Sequence, residues 1–297
     1  MGRRHAMKIL LVGANGQLGS DLVREQEQYL SGAEISTLRR ADLDVTSFEA
    51  MAAVLARREF DILINCTSYT RVDDAEAHAS EAVRVNAQAP VRMASACRAK
   101  GARFVHVSTD YVFDGQISRP YVEADSPAPL NVYGASKFLG ETLVRREYAQ
   151  GSLIMRVASL FGAAGASGKG GNFVETILRI AKEKGEVRVV TDAHMSPTGT
   201  LDAARVILSL IRSGAAPGMY HVVNSGEATW YEFAQEIIRR AGLPARVIPI
   251  TSKEFAAAAV RPCYSVLNNQ KAQAITGRIP SWEDALARYL KSKGHMA

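Results

Sequence analysis

Lys8-Ile9-Leu10-Leu11-Val12-Gly13-Ala14-Asn15-Gly16-Gln17-Leu18-Gly19 is the stretch whose reading decides the fold. Ile9–Val12 is a short continuous apolar run, the pattern of a strand buried on both faces in a parallel sheet. The run stops at a glycine, and two more glycines follow at intervals of three. A glycine at the strand end permits a tight turn, and a second lets the backbone approach a pyrophosphate. A third lets the following helix pack closely on the strand. The helix expected over Leu18–Tyr29 would aim its free N–H groups and positive dipole end at such phosphates.

Working outward, strands expected at Ile35–Leu38, Asp61–Asn65, Phe104–Val107 and Leu153–Val157 alternate with helical segments. These are Phe48–Arg58, a long helix from about Ser80 to Lys100 that Gly101 ends, and Val132–Tyr148 after a loop carrying Pro120, Pro127 and Pro129. Such alternation predicts parallel βαβ units, hence an α/β fold with a doubly wound sheet of the Rossmann kind. The Gly/Ala/Ser run over 163–171 marks a mobile loop and the edge of that unit. Beyond it, helices near 173–184, 200–212, 230–241 and 281–291 mix with short strands near 187–190, 219–223 and 246–250. We read residues 7–162, with 198–224 returning to the sheet, as a nucleotide-binding domain. Residues 163–197 and 225–297 then form a smaller C-terminal α/β substrate-binding lobe.

Composition removes other classes. Of 297 residues 47% are hydrophobic and 22% charged, which excludes an extended disordered chain. Lys+Arg 36 against Asp+Glu 30 gives +6, and Arg3 and Arg4 lie in a leader, Met1–Ala6, ahead of the expected native start at Met7. The surplus is too mild and dispersed for a nucleic-acid partner. Cys66, Cys97 and Cys263 are odd in number, far apart and without metal-ligand spacing, so we expect reduced thiols and no metal. No segment approaches the ~20 apolar residues of a membrane span, and no signal-peptide core precedes the first strand. A cytoplasmic chain without a membrane partner is the expectation.

The chemistry is concentrated in two places. In Tyr133-Gly134-Ala135-Ser136-Lys137, positions i and i+4 share one helix face, so a phenol and an ammonium project together. A nearby Lys⁺ favours the phenolate and would bring a pKa of about 10 toward working pH. Upstream, Ser108-Thr109-Asp110-Tyr111-Val112-Phe113-Asp114-Gly115 stands at a strand's carboxyl end, where ligands of such sheets bind. A hydroxyl there can donate to a carbonyl oxygen as negative charge develops on it. Thr109, Tyr133 and Lys137 are therefore the candidate catalytic residues: carbonyl polariser, proton donor and pKa setter. At the end of the second strand an NAD-selective site would carry an acidic residue; here stand Arg39 and Arg40, whose guanidiniums suit a 2′-phosphate. That favours NADPH, with NADH the alternative.

The glycine loop, Asn65–Asp73, Ser108–Gly115 and Pro129–Lys137 resemble the extended short-chain reductases. The resemblance is strongest to the dTDP-4-dehydrorhamnose reductase family, and it continues through Gly171–Phe173, Ser196–Thr198, Gly218–Val223, Thr229–Phe233 and Arg261–Leu267. It implies NAD(P)H-dependent reduction of a 4-keto group on a dTDP-linked 6-deoxy sugar, an oxidoreductase acting on CH–OH, and a dTDP-sugar as partner. It assigns Gly13, Asn15, Gly16, Gln17, Leu18, Arg39, Asp44, Val45, Cys66, Thr67, Tyr69, Tyr133 and Lys137 to the cofactor. Asp110, Ser159, Asn172 and Arg261 fall to the substrate, Arg261 as a fork for a diphosphate oxygen. The family's usual Trp after the sixth strand is replaced by Ser159, which enlarges the sugar site. Dehydratases carry a second carboxylate where this chain has Tyr111, which disfavours elimination and epimerisation. The chain is also similar to the regulatory beta subunit of methionine adenosyltransferase, but retaining all three catalytic candidates disfavours a purely binding role. A homodimer is compatible with the sequence. His106 is expected as a satisfied core residue, Asn86 as a helix–strand hydrogen-bonding residue, and Trp230 as packing of the small lobe.

Overall fold

The computed structural model describes residues 6–165 and 171–296, so leader residues 1–5 and most of the expected mobile loop lie outside it. The chain begins with β1 (Lys8–Val12), α1 (Gln17–Tyr29), β2 (Glu34–Leu38), α2 (Phe48–Arg57) and β3 (Ile62–Asn65). It continues through α3 (Val72–Ala77), α4 (Ala79–Val83), α5 (Ala89–Lys100), β4 (Arg103–Thr109), α6 (Val132–Tyr148), β5 (Ser152–Val157) and β6 (Leu160–Phe161). Next come α7 (Phe173–Lys184), β7 (Glu186–Val190), β8 (His194–Met195), β9 (Thr198–Gly199), α8 (Thr200–Arg212) and β10 (Gly218–His221). The last elements are β11 (Ala228–Thr229), α9 (Trp230–Arg240), β12 (Arg246–Ile250), α10 (Ser252–Phe255), α11 (Gln270–Thr276) and α12 (Trp282–Ser292).

Six strands form one parallel sheet in the order β10-β5-β4-β3-β1-β2. Alternation along each strand sorts the side chains to two cores. Ile9, Leu11, Ile64, Val105 and Met155 meet α1 and α8 on one face. Leu10, Val12, Leu63, Phe104 and Ile154 meet α2, α5 and α6 on the other. The chain reverses its direction of travel at β1, which pairs with β2 on one side and β3 on the other, and the crevice at those carboxyl ends is the switch point where such sheets bind ligands. A further core around Phe161, Val174, Phe233, Trp282 and Leu286 holds α7, α9 and α12 together. Trp230 packs there at 4.6 Å from the Phe173 ring.

The helix expected over Ser80–Lys100 is interrupted. A single π turn, Arg84–Gln88, separates α4 from α5. Pro90 has no N–H to give the Asn86 carbonyl four residues back. Helix α6 presses against that carbonyl at Gly140, where any side chain would collide with it. The extra residue turns Asn86 inward, fully buried. Short elements such as α3, α10 and α11 lack a full apolar period and left no sequence signal.

Candidate functional site

The glycine loop is held by contacts that only glycine allows. Gly13 has φ +88°, and a Cβ there would lie 3.0 Å from the Cys66 carbonyl carbon and the Thr67 nitrogen. A Cβ at Gly19 would collide with the Gly13 carbonyl, so α1 sits directly on the turn. Gly16 opens α1 in extended backbone with no side-chain cap. A cavity of about 170 Å³ meets this end, lined by Gly16, Gln17, Leu18, Gly19, Cys66, Thr67, Ser68, Thr70, Val107, Ser108, Tyr133, Lys137, Val157 and Leu160. The buried Ser108 hydroxyl in that lining has no protein partner. An uncapped helix N-terminus and an orphaned hydroxyl are a donor set that fits a phosphate-bearing dinucleotide.

Other expected cofactor residues surround this crevice with differing freedom. Asn15 is exposed at the loop tip, and Gln17 is tied to the sheet edge, its Oε1 accepting from Gly162 N at 2.9 Å. Arg39 and Arg40 are exposed at the end of β2, and a turn in which Arg39 N donates to Asp42 (2.8 Å) directs the chain there. Asp44 accepts from the backbone and hydroxyl of Thr46, which holds its carboxyl below the usual range, while Val45 is buried against α2 and α5. The Tyr69 phenol is committed to Asp74 rather than to the cavity. Asn86 fixes the loop that carries it: Oδ1 accepts from Tyr69 N at 2.8 Å and from Ser68 Oγ at 3.0 Å, and Nδ2 donates to Tyr69 O and Ser136 Oγ.

Asn131 caps α6, accepting from Gly134 N at 2.8 Å, and so sets the first turn that bears Tyr133. The Tyr133 ring stands edge-on to Tyr111 with centroids 5.9 Å apart, and the Thr109 and Ser68 hydroxyls lie near enough to its own to favour the phenolate. One turn later Lys137 is buried, its Nζ donating to Val107 O at 2.5 Å. Burial pushes the lysine down to about 8, against the opposing charge of Glu141. Here the structure corrects an expectation. Burial pushes the Tyr133 phenol up to about 12, with Thr109 and Ser68 pulling the other way and the Asp110 charge adding to the rise. A phenol so held stays protonated at neutral pH and is a proton donor. Asp110, buried beside Thr109, accepts from Thr109 Oγ1 at 3.0 Å and from Ser265 Oγ at 2.6 Å. His106 is only half satisfied: Asn65 Nδ2 meets Nδ1 at 3.2 Å, and Nε2 has no partner.

A larger hollow, about 750 Å³, lies elsewhere, on α9 and Trp282. Glu227, Glu232, Glu236 and Glu283 line it, a sign of charge that repels phosphates. Among the described residues there is no cluster of His, Cys, Asp and Glu that could hold a metal, and no helix is long and apolar enough to cross a membrane.

Comparison with known proteins gives the family. The family described as "RmlD substrate binding domain" matches residues 7–294. This chain belongs to the dTDP-4-dehydrorhamnose reductase family. A protein of that name from Streptomyces griseus is 39% identical over 270 residues, 89% of this chain and 86% of the relative. A dTDP-4-keto-6-deoxy-D-glucose reductase from Streptomyces niveus is 38% identical over 283 residues, 94% of this chain and 95% of the relative. A crystal structure of dTDP-4-dehydrorhamnose reductase from Bacillus anthracis in complex with NADP superposes with a TM-score of 0.90 at 36% identity, covering 97% of this chain and 100% of that one.

In this family member the residues expected on the substrate side are variously engaged. Arg261 forks onto Asp73 through two bonds, 3.0 and 2.7 Å, so its guanidinium bridges the first turn of α3 to the C-terminal segment. Asn172 is the cap of α7 and also donates to Gly162 O and Tyr289 OH at 3.1 Å, which makes it a pin rather than a free amide. Ser159 has φ +43°, a left-handed conformation costly for a residue with a Cβ. The sequence reading missed Ser265, Asp73 and the ion pair of Glu141 with Arg156, at 2.9 and 2.6 Å and wholly buried. Ser265 and Asp73 stood within quoted motifs, so they had a signal; the pairings did not.

Proposed function

We propose that this chain reduces the 4-keto group of a dTDP-4-keto-6-deoxyhexose, dTDP-4-dehydrorhamnose to dTDP-L-rhamnose, in the cytoplasm with NADPH preferred over NADH. The observation that carries the reading is the meeting of Tyr133 and Lys137 with an uncapped helix N-terminus in one cavity, Thr109 standing next to its Ser108 wall. The dinucleotide, when bound, supplies the hydride. Gly16 and the first turn of α1 would hold its diphosphate, with Gly13 shaping the turn, and Lys137, Cys66 and Thr67 would line the rest of its site. Arg39 and Arg40 supply charge for a 2′-phosphate. Thr109 donates to the carbonyl oxygen, and Tyr133 delivers the proton to it as the alkoxide forms. Residues 7–162 with 198–224 serve as the nucleotide unit, and 163–197 with 225–297 as the sugar-binding lobe, where Arg261 exchanges Asp73 for the substrate diphosphate.

The test mixes purified protein with dTDP-4-keto-6-deoxy sugar and follows loss of NADPH or NADH absorbance separately. Oxidation that is faster with NADPH is expected, and tight dinucleotide binding without oxidation overturns the reading. Tyr133→Phe should lose at least a hundredfold in turnover on general acid–base grounds, while binding NADPH as before. Relatives named for two different 4-keto sugars flank this chain at similar identity. Ser159→Trp, assayed against both sugars, reads whether the small side chain sets the preference.

A further inference from the structure

Thr109 has one hydroxyl proton and, in this structure, gives it away. Its Oγ1 accepts from Tyr111 N at 3.2 Å, and its proton goes to Asp110 Oδ1 at 3.0 Å. A hydroxyl offers a single donor, so Thr109 can polarise a substrate carbonyl only by turning that proton away from Asp110. Asp110 is then a carboxylate, 2% exposed, that has lost a donor. An unsatisfied buried carboxylate is costly. One side-chain donor remains, and it comes from the other lobe: Ser265 Oγ, 2.6 Å from Oδ2. Ser265 is itself 3% exposed and is fixed by its own N–H, which donates to His194 O at 2.8 Å, beside the bridge of His194 to Tyr264.

On the reading that Thr109 donates to the substrate carbonyl, we propose that Ser265 is a positioning residue: its hydroxyl keeps Asp110 satisfied while Thr109 turns its proton to the substrate, so the C-terminal lobe sets the state of the catalytic hydroxyl. The groups around Asp110 are Tyr111 in its own turn, Thr109 on β4, Tyr133 from α6, and from the second lobe Ser265, with Arg261 reaching Tyr111 and the main chain of His194 behind Ser265. Burial pushes the Asp110 carboxyl up to about 6, and the bonds from Ser265, Thr109 and, more weakly, the backbone N–H groups of Asp110 and Tyr111 pull it back. Removing Ser265 therefore raises it further.

The experiment compares pH profiles of kcat/KM for wild type, Ser265→Ala and Ser265→Thr. In Ser265→Ala the acid-side inflection should move up by about one pH unit, and kcat should fall about tenfold with the sugar KM within threefold. Ser265→Thr, which keeps the hydroxyl, should restore both. A profile that superimposes on wild type overturns the proposal. If Ser265→Ala does not fold, Asp110→Asn carries the test: it should abolish the inflection, and an inflection that persists overturns the proposal. The carboxylate stretch in infrared difference spectra of wild type against Asp110→Asn titrates the same group without turnover. An absence of turnover in wild type thus counts against the reductase reading alone, while an Asp110 titration unmoved by Ser265→Ala counts against Ser265 alone.

Discussion

Glu141→Gln is the substitution whose cost the structure specifies best. Arg156 on β5 gives Nε and Nη2 to the two oxygens of Glu141 on α6, at 2.9 and 2.6 Å, with side chains 2% and 1% exposed. The guanidinium also lies 4.9 Å from the Phe113 ring centroid, and its Nη1 has no partner. An amide in place of the carboxylate leaves Arg156 charged, buried and uncompensated. Breaking a buried pair in this way costs about 3–5 kcal/mol. The assay is urea unfolding followed by fluorescence and circular dichroism. Replacing both partners, Glu141→Leu with Arg156→Met, should recover most of the loss, because well-packed apolar residues spare the desolvation of two ions. A single substitution costing under about 1 kcal/mol, or a double one as unstable as the single, refutes the reasoning. Glu141 also supports the charge on Lys137, so Glu141→Gln should push that lysine further below about 8.

Two further expectations concern pH and cofactor choice. Burial and the neighbouring Arg156 push His221 down to about 3, below its ordinary unfolded value of about 6.5. The unfolded chain then takes a proton that the folded one refuses. Stability is full above about 6.5 and falls by up to about 1.4 kcal/mol per pH unit toward 3; His221→Gln should remove that one-proton slope from urea titrations run between pH 6 and 4, and an unchanged slope excludes His221 as its source. Arg39→Ala with Arg40→Ala should raise the NADPH KM about tenfold and leave NADH within twofold, since only the former carries a 2′-phosphate; equal losses for both cofactors would exclude that role.

What could be read from the sequence was local in the chain. The strand, turn and helix of residues 8–29 declare themselves because each glycine acts on atoms within a few residues or on the adjacent strand. Tyr133 and Lys137 meet because helix geometry alone puts them on one face. What could not be read were pairings set by tertiary packing. Asn172 looks like a substrate residue in its motif, yet its amide is taken by Gly162 and Tyr289, the latter 117 residues away. The π turn at Asn86 arises from a missing proline N–H and the approach of Gly140 in another helix, and hydrophobic periodicity registers neither. Spacing shows that Tyr133 and Lys137 share a face but not that the ammonium donates to the Val107 carbonyl on β4.

The fork of Arg261 on Asp73 gives the proposed diphosphate role of Arg261 a direct test. Arg261 stands 188 residues from its carboxylate, so the bond joins the first turn of α3 to the C-terminal segment. Asp73 is held below the usual carboxylate range first of all by this guanidinium, so both partners stay charged at neutral pH. A diphosphate presents more negative charge and the same forked geometry as a carboxylate, and Asp73 is half exposed, free to turn to water when displaced. If the substrate takes Arg261 from Asp73, weakening the resident bond must favour binding. Asp73→Asn should then lower the sugar-nucleotide KM about threefold at low salt, with kcat unchanged, and the advantage should shrink as salt screens both competitors. Arg261→Lys, which keeps the charge but not the fork, should raise KM in either background. A higher KM in Asp73→Asn would mean that Asp73 aims the guanidinium rather than competing for it, and the exchange would be refuted.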